Sequence, residues 1–238
     1  MADFYDRYAR EYAEKNDVSA YNALYERPAV LALLGEVAGQ RVLDAACGPG
    51  AHAKALQQRG ALVTGCDRSV PELAIARERL GPATRLDQVD LTQRLPYADQ
   101  EFDAVLCALA LHYLEDWSVP LRQFHRVLRP AGRLVVSTHH PIDDFRLSGS
   151  ENYFATELWD DHWTVGGRKV PISYYRRPLS GMTDAFLDAG FSIERIAEPP
   201  PAPEMRELFP DDYHRLTTHP GFLFFVLRPR AGELTREV

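Results

Sequence analysis

Gly48, Gly50 and Ala53 follow the spacing G-x-G-x-x-A within "VLDAACGPGAHA", residues 42–53. Small residues at that spacing let a backbone close on a ligand, and a helix opening behind them favours negative charge at its N-terminus. Two acids bracket the turn. Asp44 lies in the apolar run before it, and Asp67 ends the next apolar run, "ALVTGCD". An acid about 20 residues beyond such a turn is placed to read a ribose diol, because one carboxylate accepts from both hydroxyls and so selects an unphosphorylated sugar. The plain alternative is a turn in which Asp67 only caps the following helix.

Those residues need strands ending, and helices starting, at one edge, and the chain supplies both. "RVLDAAC", "ALVTGCD", "ATRLDQVD", "FDAVLCALAL" and "GRLVVSTHH" read as strands. Between them come the helical stretches "AHAKALQQRG", "SVPELAIARERLG" and "WSVPLRQFHRVLRPAG". Gly60 sits at the expected end of the first, and Ser69 can cap the second with Pro71 in its first turn. Leu121, Phe124 and Leu128 share a face of the third, which Pro130 and Gly132 break. This alternation predicts an α/β, Rossmann-like doubly wound sheet, mostly parallel. Residues 141–179 show no clean period and are rich in aromatics; "LSGMTDAFLDAG" (helix), "FSIERIAE" (strand), a stiff "PPPAP" connector and "GFLFFVLRP" (final strand) follow.

The composition bounds the function. The 238 residues suffice for one large core. A net charge of −7 argues against a nucleic-acid partner, with Arg176–Arg177 as a local basic pair to be placed. No apolar run approaches the roughly 20 residues that cross a bilayer, and residues 1–17 are charged throughout, so a cytoplasmic protein without a membrane partner is expected. Cys47, Cys66 and Cys107 lack CxxC spacing and read as buried apolar positions, with no metal cluster.

"VLDAACGPG" resembles motif I of the class I S-adenosylmethionine-dependent methyltransferases. Asp67, "VDLTQRLPYADQEFDAVLCALALHYLEDW" and "RVLRPAGRLVVSTHHP" follow in that family's order, and the nearest likeness is to the small-molecule, ubiquinone/menaquinone-biosynthesis type. The resemblance covers roughly residues 40–140. It implies a seven-stranded sheet with an antiparallel final strand, and S-adenosylmethionine as cofactor. One position departs: Ala46 stands where the family usually has glycine. The resemblance places Asp44 near the methionine end of the cofactor, Asp90 and the Leu91 backbone at the adenine, and the Ala108 carbonyl at the ammonium. Ala46, Cys47, Gly48, Gly50, Arg68 and His112 are further expected cofactor contacts. Tyr5, Tyr8 and Tyr12 share a helical face, and a cover role makes Tyr12 a contact as well.

Methyl transfer leaves the protein to align, desolvate and sometimes deprotonate. His139 and His140, after the fifth strand, are the candidate bases, although neighbours in an extended segment point to opposite sides. The aromatic segment is the candidate acceptor pocket, with Tyr153, Trp159, Trp163 and Tyr175 as its contacts. The expected organisation is one domain: 1–40 a helical cover, 41–140 the cofactor core, 141–179 an acceptor insertion, and 180–238 the closing helix and strand pair. The expected activity is methylation of O, N or C on a small aromatic or apolar acceptor, by a monomer or homodimer. A nicotinamide oxidoreductase, or a protein that binds this cofactor without methylating, is the alternative.

Overall fold

The computed structural model describes residues 2–165 and 167–230. A kinked helix α1 (Ala2–Val18), a π-helical turn (Asn22–Glu26) and α2 (Arg27–Leu34) precede the sheet. Then come β1 (Arg41–Ala45), α3 (Ala51–Gln58), β2 (Leu62–Asp67), α4 (Val70–Leu80), β3 (Arg85–Gln88) and β4 (Phe102–Ala108). α5 (Ser118–Val127) leads into β5 (Leu128–His139), and α6 (Pro141–Ser148) into the strands β6 (Glu157–Val165) and β7 (Arg168–Arg176). α7 (Leu179–Asp188), β8 (Phe191–Ala197), α8 (Met205–Leu208), α9 (Pro210–Thr218) and β9 (Phe222–Pro229) close the chain.

Seven strands form one sheet in the order β3-β2-β1-β4-β5-β9-β8, parallel except where β9 runs against both neighbours. The expected fold is therefore present, antiparallel final strand included. Its middle strands are apolar on both faces because helices cover both. Leu43, Val105 and Val136 pack into one core layer, and Val42, Leu106 and Val135 into the other. The parallel strands β1, β2 and β4 end at one edge, at Ala45, Asp67 and Ala108, which is where ligands bind such sheets. Helix α5 stops at Val127, ahead of the expected break, because Leu128 already pairs with Phe102 of β4.

The 141–179 segment does have a period, contrary to the expectation. β6 and β7 form an antiparallel hairpin apart from the main sheet. In β7, Val170, Ile172, Tyr174 and Arg176 are buried in alternation. An arginine in that buried set, and two aspartates in β6, disguise the alternation in a hydropathy reading. Arg176 is wholly buried, and the Arg177 guanidinium lies over the Trp117 ring at 4.7 Å. The Arg176–Arg177 pair is thus structural and offers no basic patch.

Candidate functional site

The glycine turn is tied to the end of β2 by Asp67. Gly48 N–H donates to Asp67 Oδ2 and Ser69 N–H to Asp67 Oδ1, each at 2.9 Å. Burial raises the Asp67 carboxyl, while the N–H groups of Ser69 and Gly48 pull it back down. Gly48 and Gly50 have φ of 51° and 79°, the left-handed region that glycine enters without penalty. A side chain at Gly50 would also press on Ala76 and Leu80, so this glycine lets α3 approach α4. Ala46 adopts φ 59°, so the residue that departs from the family pattern occupies a glycine-type conformation.

A cavity of about 1060 Å³ opens over this turn. Ala46, Cys47 and Gly48 form one wall, and Asp67, Arg68, Asp90 and Leu91 another. Ala108 and Leu109 bound it at the end of β4, and Tyr5, Tyr12 and Tyr113 bound it from the side of α1. Asp90 Oδ1 accepts from the Thr92 N–H and hydroxyl; burial opposes, but these bonds hold its carboxyl below the usual range. Burial pushes the Tyr12 phenol up to about 12 and raises Tyr5 and Tyr113 too, so all three present neutral hydroxyls. The kink in α1 falls at Tyr8, yet Tyr5, Tyr8 and Tyr12 all pack against the cluster of Phe4, Ile172 and Tyr174; of the three, Tyr5 and Tyr12 also line the cavity.

Three expected cofactor contacts lie outside the lining. Gly50 does its work between helices. Asp44 is buried beneath the turn, where burial pushes its carboxyl up to about 6 against the pull of His52. His112 is buried with its ring 4.0 Å from that of His139, and burial followed by His139 holds it well below its ordinary value.

Neither candidate base lines the cavity. His140 Nε2 is 2.8 Å from Glu198 Oε1, and its Nδ1 accepts from Ile142 N–H. Both ring nitrogens being engaged, His140 caps α6 and is corrected here from base to structural residue. His139 remains more available: its Nδ1 is 3.4 Å from Asp144 Oδ1, and Tyr174 crosses its ring at 4.4 Å. The four expected acceptor contacts are also outside the lining. Trp159 packs on Tyr174 across the hairpin, and Trp163 packs on Phe4 and so joins the hairpin to α1. Tyr175 reaches Glu115, and the Tyr153 hydroxyl accepts from Leu179 N–H. The inward aromatic of β7 is Tyr174, because alternation turns Tyr175 the other way.

The cavity presents the acids Asp67, Glu72 and Asp90, with the exposed Arg68 as its one lining arginine among the described residues. Glu72 is buried, and both of its carboxyl oxygens lack a hydrogen-bond partner among the described residues. This acceptor set suits a ligand that brings hydroxyls and positive charge, and the charge of Asp67 and Asp90 repels a sugar phosphate. S-adenosylmethionine fits those terms.

Comparison with known proteins agrees. Residues 43–136 match the methyltransferase domain family. A demethylmenaquinone methyltransferase of Thermobifida fusca is 30% identical, over 81% of this chain and 78% of its own. The chain belongs to the class I S-adenosylmethionine-dependent methyltransferases. A solved S-adenosylmethionine-dependent methyltransferase from Mesorhizobium loti shares 28% identity with a TM-score of 0.69, covering 90% of this chain and 99% of that one. A structure from Listeria monocytogenes has the same fold, with a TM-score of 0.73 at 24% identity over 87% and 97% of the two chains. S-adenosylmethionine is accordingly the cofactor, and the nicotinamide alternative falls.

In this methyltransferase several cavity residues carry no sequence signal that the motifs could reveal. Asn16, Asn22, His52, Glu72 and Tyr113 line it. Glu26, fully buried behind them, joins His52 to Ser137. The one available hint was "SVPE", residues 69–72, whose S-x-x-E spacing marks a helix start.

Proposed function

We propose that this methyltransferase transfers the methyl group to an oxygen, nitrogen or carbon of a small aromatic or apolar acceptor. The observation that carries the proposal is the two-sided character of the cavity. Acids and the glycine turn form one side, and neutral tyrosines backed by the aromatic contact between α1 and the hairpin form the other. The relative from Thermobifida fusca is named for a quinone acceptor, which supports a flat, largely apolar substrate here.

Asp67 would hold the ribose diol, Asp90 and the Leu91 backbone the adenine, and the Ala108 carbonyl the ammonium. The bound cofactor supplies an electrophilic methyl on a sulfonium. The chain's part is to align the acceptor and exclude water: α1 and the hairpin bury Tyr174, Ile172 and Val170 against Phe4 and so roof the site. Where the acceptor must lose a proton, His139 is the better placed of the two histidines, its ring clasped by His112 and Tyr174 with Asp144 Oδ1 3.4 Å from its Nδ1. Incubation with labelled cofactor and a panel of phenolic, amine and quinone-like acceptors tests the proposal. Label should transfer to at least one flat acceptor; stable cofactor binding with no transfer to any class overturns it in favour of a non-methylating binder. A thermal shift with S-adenosylhomocysteine but not NAD is the expected first result.

A further inference from the structure

Ser69 and Glu72 form the S-x-x-E pattern of a capping box at the start of α4. Half of that box is present: Ser69 Oγ accepts from Glu72 N–H at 3.3 Å. In the reciprocal half the glutamate would accept from the serine N–H, but here that donor is already given to Asp67 Oδ1 at 2.9 Å. Glu72 is thereby released from its local partner. Its side chain turns into the cavity, only 1% exposed, with neither Oε1 nor Oε2 hydrogen-bonded among the described residues. Oε2 lies 3.5 Å from where a side chain on Gly48 would begin, so Glu72 and Asp67 flank the same glycine.

The hydroxyls in the neighbourhood do not satisfy it. Tyr5 and Tyr113 bond each other at 2.7 Å, and the Tyr12 hydroxyl accepts from Asn16. The adjacent cation Arg79 is held by Asp17. An unpartnered buried carboxyl is costly to the fold, so the missing partner must come from a ligand that brings its own donors. Each oxygen of Asp67 already accepts one backbone N–H, which halves its remaining capacity.

We infer that Glu72 is a second ribose-binding carboxyl, which shares the cofactor's diol with Asp67 by taking one hydroxyl hydrogen bond. This rests on the cofactor occupying the cavity with its ribose at Asp67. Burial, and then Asp67, push the Glu72 carboxyl up to about 8. At neutral pH the group is mostly a carboxylic acid, able both to donate to and to accept from a hydroxyl.

Calorimetric binding of S-adenosylhomocysteine and its 2′-deoxy and 3′-deoxy counterparts, to wild type, Glu72→Leu and Glu72→Gln, tests the inference, alongside ligand-free Tm. Glu72→Leu should raise Tm and weaken S-adenosylhomocysteine at least tenfold, with Glu72→Gln between it and wild type. That penalty should shrink below threefold for the one analogue lacking the hydroxyl that Glu72 holds. An unchanged Kd, or an equal penalty for all three ligands, overturns the assignment. If neither variant folds, Asp67→Asn decides: it should still discriminate against one deoxy analogue, and loss of all discrimination overturns the assignment. Wild-type protein that binds none of the three ligands overturns the cofactor placement itself; wild-type binding with no effect of Glu72 overturns this inference alone.

Discussion

Glu26 Oε2 lies 2.7 Å from His52 Nε2, and the other oxygen of Glu26 accepts the Ser137 hydroxyl at 2.6 Å. Glu26 ends the π-helical turn, His52 is in the first turn of α3, and Ser137 is in β5. One fully buried acid therefore clamps the segment before the sheet to the helix behind the glycine turn and to the fifth strand. Ser137 Oγ also accepts from Leu109 N–H at 3.0 Å, which pins a cavity residue held at φ 49°. A left-handed non-glycine residue costs about 1–2 kcal/mol, so it needs such bracing.

This clamp gives stability a pH dependence. Burial opposes charge on His52, but Glu26, with Asp44 behind it, outweighs both burial and Arg27 and holds the imidazole above its ordinary value. A histidine raised in the folded state stabilises fully below the unfolded pKa of about 6.5, and the contribution fades as pH climbs through the folded value. His52→Gln should therefore lower Tm more at pH 6 than at pH 9. Equal losses at the two pH values would contradict the clamp.

Ala46 pays for its side chain in backbone strain at φ 59°, on the wall of the cavity. Ala46→Gly relieves the strain at the cost of a more flexible unfolded chain. The net expectation is a gain of about 0.5–1 kcal/mol, or a Tm higher by roughly 2 °C. S-adenosylhomocysteine should bind at least as tightly to the variant by calorimetry. A fall in Tm would show that Ala46 packs better than its conformation suggests.

The same residues show what the sequence can disclose. The strands from β1 to β5 and their helices were legible because each carries its own period and its own caps, such as Ser69 and Gly60. So were the cavity residues attached to those strand ends: Gly48, Asp67, Asp90 and Ala108. Glu26 was not, because its partners lie 26 and 111 residues away and no local pattern marks it. The hairpin escaped for a different reason. Its buried face includes Arg176, and Asp161 meets Tyr174 across the strands at 3.3 Å, so polarity and burial are decoupled there. His140 looked chemical only because Glu198, which occupies its Nε2, is brought in by the end of β8 from 58 residues away.

Asp67 has two duties, and substitution should separate them. Asp67→Asn keeps one acceptor oxygen for a backbone N–H and a ribose hydroxyl but loses the charge that strengthens both. A hydrogen bond to a charged group is worth about 1.5–3 kcal/mol. S-adenosylhomocysteine affinity should fall about 10–100-fold per bond lost, while Tm falls by only a few degrees. Calorimetry and thermal denaturation on one preparation would show the split; a large loss of Tm with intact affinity would make Asp67 a helix cap and no more.

Arg176 supplies a test of whether the hairpin serves the acceptor or the cofactor. Its Nη2 donates to Ser150 Oγ, Asn152 O and Glu157 Oε2, and its Nη1 to Tyr153 O, while Phe145 lies 5.5 Å from the guanidinium carbon. A single buried cation thus gathers residues 149–156 onto the end of β7. Arg176→Met preserves length and apolar contact but removes four bonds and leaves their acceptors bare, a change expected to cost about 3 kcal/mol. None of these partners lines the cavity at Asp67, so S-adenosylhomocysteine should bind within twofold of wild type. Limited proteolysis should cut first between residues 149 and 156, and KM for the acceptor should rise with little change in cofactor affinity. A variant that loses cofactor binding as much as acceptor binding would show that the hairpin roofs the whole site and not its acceptor side alone.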